Sequence, residues 1–591
     1  KSLVQSRIFR EATAILSPFA ISSTRIAKLC NAFGEETVHI LRHHPYRLCG
    51  IEEVDFSLAD QIAQAGNLDP GSTERVDAGM AYVLSRAEKT GNLCLEKHEF
   101  LYQVRELLGK RRFSLPALAE RAAELVKNRQ LFSFHKWVYL WRTGCVEGAL
   151  ARAVAEKLLH QGPAQPSFWR EELLQVEAEL GMTLNDQQRK AVLTAVSSPL
   201  TILTGGPGTG KTMTQKALVS LYHRVYPGKT VACCAPTGRA ARRMEESTGV
   251  KAATIHKALK LLAGEDGVFS EPEPLDADLV LVDEVSMLDV YLAESLFRAL
   301  KPGCQLVLVG DADQLPSVGP GAVLRELLSC GQIPVVRLTK IYRQSADSPI
   351  PINAALIRAG NLHLEYGKDF QFVECADMAC SAGMMEELYL REAGRFGVDN
   401  VALLSPFRKK TETGVNALNP KLREWINPKA PDKPEISHGK RLFRLGDKVM
   451  QVRNFQDISN GDIGYVAAVE NQEDGPVLKV DFGEDRVMEY DGSQLDLLDL
   501  AYATTIHKSQ GSEYDSVIIS VQCAHSVMLN RPLLYTAVTR AKKRVILVGE
   551  RKALCMAIRR TDTEHRNTQL ARRILDRLEQ LREENQHGNV S

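Results

Sequence analysis

The sequence predicts an α/β protein with a mostly helical N-terminal region, and three observations point there. Short apolar and β-branched runs alternate with helix-forming stretches through the middle of the chain, as at Leu200–Thr204, Thr230–Ala235, Asp278–Val282 and Leu306–Val309. Uninterrupted apolar runs mark strands buried on both faces. The first of these strands runs directly into Gly205-Gly206-Pro207-Gly208-Thr209-Gly210-Lys211-Thr212 and then into the helix-forming QKALVSLYH. Before residue 160 the apolar positions instead recur every three to four residues, the period of a helix.

A chain of 591 residues exceeds what one core sustains, so several domains are expected. Lys plus Arg (74) nearly cancels Asp plus Glu (73), so a polyanion site must be a local basic groove. No apolar run approaches the ~20 residues of a membrane span and no signal peptide is recognisable; a cytoplasmic protein with no membrane partner is expected. The twelve cysteines form no C-x-x-C pair, which favours reduced thiols over a zinc site or disulfide framework. The first residue is Lys1 rather than Met, which fits a fragment or a processed form.

Taken in order, residues 1–68 read as helical, with two similar segments beginning at Phe19 and Val54, each a short turn before a helix carrying an Ile-Ala pair. They are similar to helix-hairpin-helix modules, without the G-x-G turns whose amides grip a DNA phosphate; a DNA grip and a purely structural bundle both stay open. Residues 69–160 continue helical and add an aromatic, alternating run, Leu131–Trp141, expected as a hairpin in a winged-helix-like unit. Gln161–Pro166 reads as a linker.

The chemistry concentrates after residue 184. Glycines in the loop let backbone N–H groups turn inward on a nucleotide's phosphates, so Gly206, Pro207, Gly208, Thr209, Gly210, Lys211, Thr212 and Met213 are expected around it. Lys211 would reach the β- and γ-phosphates, and the Thr212 hydroxyl would ligate Mg²⁺. Asn185 or Asp186 caps a helix, and the amide of Gln188 suits the donor and acceptor edge of adenine. Pro236, Thr237 and Arg239, with Thr254, His256 and Lys257, place donors at strand ends where a nucleic-acid backbone could lie. Asp283 ends an apolar strand as a hard-oxygen metal ligand, and Glu284 beside it could deprotonate the attacking water. Gln314 is expected to sense the γ-phosphate, and Arg343 is a candidate arginine finger.

The ordered set GGPGTGKT, APTGRAA, TIHK, DEVSM, GDADQLPSVGPG and LTKIYRQ, followed by YATTIHKSQGSE and LYTAVTRAK, resembles the RecD-like branch of superfamily 1B DNA helicases over residues 180–550. The helical start resembles the extension of the standalone class, as opposed to the subunit of an exonuclease complex. The resemblance implies two RecA-like P-loop lobes with parallel sheets and a small SH3-like β-barrel insert. The first lobe would span 167–340, with a short hairpin wedge near 264–274. The second would span 341–430 and 497–552, the barrel 431–496, and an amphipathic C-terminal helix or tail 553–591, docked on the motor. Gln188 becomes the glutamine of the Q motif, Arg540 a second arginine finger, and Glu513 a ribose contact. Thr505, His507, Lys508 and Ser509 would lie between DNA backbone and nucleotide, with Arg408, Arg453 and Asn454 as further DNA contacts.

The expected activity is ATP-dependent unwinding with Mg²⁺, moving 5′ to 3′ on single-stranded DNA and acting at single-strand/duplex junctions in repair or recombination. A monomer is expected, with a single-strand-binding or repair protein as a possible partner. Two alternatives stand beside it: an ATP-gated DNA-binding subunit of a nuclease complex, and the motor of a conjugative relaxase.

Overall fold

The computed structural model describes residues 2–51, 54–160, 167–262, 270–340, 348–409, 411–439, 441–472, 475–483, 486–561 and 565–588. Arg343, the linker 161–166 and residues 264–269 of the expected wedge lie outside the described residues. The rest of that wedge, 270–274, is irregular backbone, with Lys260 and Glu273 paired at 2.6 Å.

Lobe 1 is a six-stranded, all-parallel sheet of β1 (Leu200–Gly205), β2 (Val231–Ala235), β3 (Ala252–Thr254), β4 (Leu279–Val282), β5 (Gln305–Gly310) and β6 (Val335–Leu338), in the order β3-β2-β4-β5-β1-β6. Every residue of β4 and β5 is buried, which is why LVLV and QLVLVG carry no alternation. Lobe 2 is a five-stranded parallel sheet of β7 (Phe370–Glu374), β8 (Val401–Ser405), β9 (Ala503–Thr505), β10 (Tyr514–Val521) and β11 (Ala541–Gly549), in the order β7-β11-β10-β8-β9. The strand ends of a parallel sheet all face one way, so the loops that follow β1, β2, β4 and β5 collect along one rim.

Between β8 and β9 lies a five-stranded antiparallel sheet (Lys448–Gln451, Ile463–Gln472, Gly475–Asp481, Val487–Asp491 and Leu498–Leu500) with a separate hairpin, Glu435–His438 with Arg441–Arg444. The expected tight turn at Asn460-Gly461 is present, Gly461 having φ +96°.

The N-terminal helices Ser2–Leu16, Ser23–Phe33, Thr37–His43 and Phe56–Ala65 form a bundle. The turns before the second and fourth are closed by side chains: Ser22 Oγ accepts from the N–H of Arg25, and Asp55 Oδ1 from that of Leu58 at 2.9 Å. These caps satisfy the exposed amides locally, which a G-x-G turn would instead offer to a phosphate. The hairpin Leu131–Phe134 with Trp137–Leu140 is present.

Two expected boundaries shift. The helix Trp141–Leu159, assigned to the N-terminal part, contributes Leu150, Ala151, Val154 and Ala155 to the core of lobe 1. The helix Arg551–Arg559, whose residues 553–559 were expected in the tail, packs Ala553, Leu554, Ala557 and Ile558 into lobe 2. The C-terminal helix Leu570–Gly588 does dock, burying Leu570, Ile574 and Leu578 in lobe 1's core. Its start is fixed by Glu147, fully buried, which accepts from Thr568 Oγ1 at 2.7 Å, from the N–H of Gln569 at 2.8 Å and from Arg573 at 3.2 Å.

Candidate nucleotide cleft between two lobes

The loop after β1 turns on Gly208 (φ +73°) and Gly210 (φ +83°), a backbone region that side chains resist. The Thr209 hydroxyl donates to Gly206 O at 2.8 Å, and Lys211 Nζ donates to Gly205 O at 2.7 Å and Gly206 O at 3.1 Å. The loop therefore holds its own lysine where phosphate oxygens would replace two carbonyls. The helix Lys211–Val225 starts here, its N-terminus aimed at the cleft. Met213, 39% exposed, sits on its first turn.

The cleft beside this loop has a volume of about 670 Å³ and is walled by both lobes: Lys211, Thr212, Asp283, Glu284 and Gln314 from lobe 1, and Glu513, Lys542 and Arg540 from lobe 2. Burial pushes the Asp283 carboxyl up from its ordinary range, the neighbouring Glu284 adding to it and Lys211 opposing. The Asp283 carboxylate and the Thr212 hydroxyl both face the cleft and offer the hard oxygen donors that fit a divalent cation such as Mg²⁺. Glu284 takes the left-handed conformation (φ +52°), and its N–H donates to Asp283 Oδ1 at 2.7 Å.

The lobes are locked by the loop after β5. Asp311 accepts from the Tyr535 hydroxyl of lobe 2 at 2.9 Å and from Gln314 Nε2 at 3.3 Å. Gln314 Oε1 in turn accepts from Arg540 at 3.0 Å, so one amide joins a lobe 1 carboxylate to a lobe 2 guanidinium. Arg540 is held by the carbonyls of Thr536 at 3.1 Å and Ser512 at 3.2 Å. Leu315 inserts into the core of lobe 2, its N–H donating to Thr536 Oγ1 at 2.9 Å and its carbonyl accepting from Gln510 at 3.1 Å. Asp311, Tyr535 and Arg243 were not singled out in the sequence. Tyr535 and Arg243 each meet a group of the opposite lobe, and Asp311 accepts from Tyr535 across the interface besides its local Gln314, so no local pattern marks these contacts.

Several expected contacts are placed differently. Gln188 is 1% exposed; its Oε1 accepts from the N–H of Asn185 at 2.9 Å and its Nε2 donates to Thr209 O at 3.4 Å. Both faces of the amide are thus spent on a capping box and on propping the phosphate loop, and it does not present an edge to adenine. Arg239 donates across the interface to Ser512 Oγ at 2.7 Å and Tyr514 Oη at 2.8 Å, instead of facing a DNA track. Ser509 is fully buried and its hydroxyl donates to Ile506 O at 2.7 Å, so it reaches neither DNA nor nucleotide. Glu513 lines the cleft.

Of the remaining candidates for DNA contact, Lys257 of lobe 1 and Lys508 of lobe 2 both reach the barrel insert. Pro236 and Thr237 end β2, and Thr237 Oγ1 and Thr254 Oγ1 cap the helices that follow them. Lys257 Nζ pairs with Asp457 at 3.0 Å, Lys508 Nζ donates to Asn460 Oδ1, and Asn454 Oδ1 accepts from the N–H of Asn460 at 2.8 Å. Arg408 pairs with Asp499, and Thr505 Oγ1 accepts from the N–H of Lys508. Burial lowers the pKa of both His256 and His507, favouring neutral rings.

A phosphate loop, a paired Asp-Glu and an arginine supplied by the facing lobe define a two-lobed P-loop nucleotide-driven motor. Family models match an AAA domain at 183–378, a UvrD-like helicase C-terminal domain at 500–548, the HHH domain of ATP-dependent RecD2 DNA helicases at 5–94 and the SH3 domain of ATP-dependent RecD-like DNA helicases at 418–482. The ATP-dependent RecD2 DNA helicase of Deinococcus radiodurans is 33% identical over 590 residues, covering 96% of this chain and 78% of that one. The RecBCD enzyme subunit RecD of Mycobacterium tuberculosis is 33% identical over 419 residues, covering 64% and 71%. Among solved structures, the Pif1 helicase from Bacteroides in complex with ADP-AlF3 and ssDNA aligns with TM-score 0.40 and 21% identity, covering 62% of this chain and 92% of that one. The chain belongs to the RecD2 family of ATP-dependent DNA helicases and couples ATP hydrolysis to DNA unwinding. No described helix is long and apolar enough to cross a membrane.

Proposed function

We propose that this helicase moves 5′ to 3′ along single-stranded DNA and opens duplex at a single-strand/duplex junction, with one Mg²⁺–ATP bound between its lobes. The observation that carries the reading is the Asp311–Gln314–Arg540 chain, in which Gln314 of lobe 1 and Arg540 of lobe 2 meet in the wall of the nucleotide cleft.

In this reading the loop amides and Lys211 bind the β- and γ-phosphates, and Arg540 turns from Gln314 to the charge developing on the γ-phosphate. Arg343 is proposed as a further arginine finger. Glu284 accepts the proton of the attacking water. Thr212 and Asp283 would hold Mg²⁺, which when bound neutralises phosphate charge. Gln188 acts through the loop it props, and Glu513 takes the ribose. Hydrolysis removes the group that Gln314 and Arg540 share, so the lobes separate by a small step.

Where the strand-end rim faces the barrel insert, Thr237, Thr254, Lys257, Asn454 and Lys508 contact the DNA backbone, and Asp457 and Asn460 must yield Lys257 and Lys508 to the phosphates. The polarity rests on the family resemblance, as do a repair or recombination role, a cytoplasmic site of action and a monomeric state.

The test is unwinding of duplexes bearing a 5′ or a 3′ single-stranded tail by the isolated chain with ATP and Mg²⁺. Unwinding of the 5′-tailed substrate is expected. Activity confined to the 3′ tail would refute the polarity, and activity on neither would favour a subunit that needs partners.

A further inference from the structure

Arg243 stands on the helix Gly238–Thr248 of lobe 1 and lines the nucleotide cleft. Its guanidinium lies 3.5 Å from Glu284 Oε1, the proposed base in lobe 1, and 3.5 Å from Glu513 Oε1 in lobe 2. Both distances are ion-pair separations longer than a hydrogen bond. Its Nε is buried and makes no hydrogen bond among the described residues. An arginine fork normally commits to one carboxylate in a bidentate pair near 2.8 Å. Here it is divided between two carboxylates of different lobes and satisfies neither.

We propose that Arg243 is a positioning residue that passes sugar engagement to the general base. When the ribose hydroxyls draw Glu513 away, the fork is released to commit to Glu284 and fixes that carboxylate toward the attacking water. While no ribose is present, Glu513 keeps the fork shared and Glu284 is loosely held. Nucleotide recognition at the sugar thereby becomes a condition for hydrolysis at the γ-phosphate. This rests on the reading of Glu284 as base and Glu513 as ribose contact.

The experiment is steady-state hydrolysis, at saturating single-stranded DNA and Mg²⁺, of ATP and of 2′,3′-dideoxy-ATP by wild type, Arg243→Gln, Glu513→Gln and Glu284→Gln, with thermal melting of each. In wild type kcat should fall about tenfold without the sugar hydroxyls, the worth of one charge-assisted hydrogen bond. Arg243→Gln should have a low kcat with both nucleotides and a ratio near one. Glu513→Gln no longer competes for the fork, so its kcat should lose its dependence on the sugar hydroxyls, with an ATP to dideoxy-ATP ratio near one, while KM for ATP rises. Should Arg243→Gln fail to fold, the kcat and KM split of Glu513→Gln carries the test. A wild-type kcat indifferent to the sugar, or a sugar-dependent kcat retained in Arg243→Gln, would overturn the coupling. Hydrolysis persisting in Glu284→Gln would instead overturn the assignment of the base.

Discussion

In lobe 1 the interior strand β1 runs into a glycine loop that leaves its amides open toward a cleft; in lobe 2 the interior strand β8 runs into Pro406-Phe407-Arg408, and side chains fill the ground behind it. Phe407 packs its ring 5.2 Å from that of His525, whose Nε2 lies 3.2 Å from Thr413 Oγ1 and 3.3 Å from Thr411 Oγ1. Two parallel sheets thus carry different loops at their strand ends. In the proposed reading lobe 1 supplies the phosphate cradle and lobe 2 supplies Arg540, so the nucleotide belongs to the interface. A motor of this kind needs that asymmetry, because a nucleotide held wholly by one lobe has no leverage on the other.

The comparison is broken most completely by Lys211→Ala, which should cut ATP hydrolysis at least about 10³-fold while the melting temperature stays near wild type. Retained turnover would move the phosphate site elsewhere. Gln314→Ala should slow hydrolysis about 10²-fold, the cost of one preorganised polar contact, and should weaken the DNA dependence of what remains. An unchanged DNA stimulation would show that the amide does not join the lobes.

On the lobe 2 side the filled corner should show in acid. Burial depresses His525 to about 4, below its ordinary 6.5. The unfolded chain therefore binds the extra proton first; the stabilisation is fully present above pH 6.5 and is lost as pH falls toward 4. Its worth is on the order of 3 kcal/mol. Denaturant melts across that window should slope upward with pH for wild type and run flatter for His525→Gln; equal slopes would contradict the buried neutral ring.

The smallest effect is expected at Arg239→Ala, which loses two hydrogen bonds across the interface, about 1–2 kcal/mol of lobe association. The slope of log DNA affinity against log salt should not change. A slope reduced by about one would return Arg239 to the DNA track.

The cradle was legible because its chemistry demands contiguous residues: glycines, lysine and threonine act where they stand in the chain. The buried strands were legible because both faces of a parallel sheet are covered. The DNA rim was less so. A lysine or arginine at a strand end announces a donor and says nothing of its acceptor, and Arg239 finds Ser512 and Tyr514 some 273 and 275 residues away. Gln188 carried two signals at once, since Asn185-x-x-Gln188 is also the pattern of a capping box, and the local bond took the side chain. Ser509 sits in a conspicuous motif, yet its hydroxyl is consumed three residues back. Arg243 carries no signal in the sequence, because its meaning lies in two carboxylates, at 284 and 513, that only the fold brings to it.

That the nucleotide is completed by the opposite lobe is tested most directly by Arg540→Ala. ATP prebound to the chain on single-stranded DNA is followed through a single turnover. The variant should bind one ATP per chain as wild type does and hydrolyse it about 10³-fold more slowly. Hydrolysis within a few-fold of wild type would mean that lobe 1 works alone.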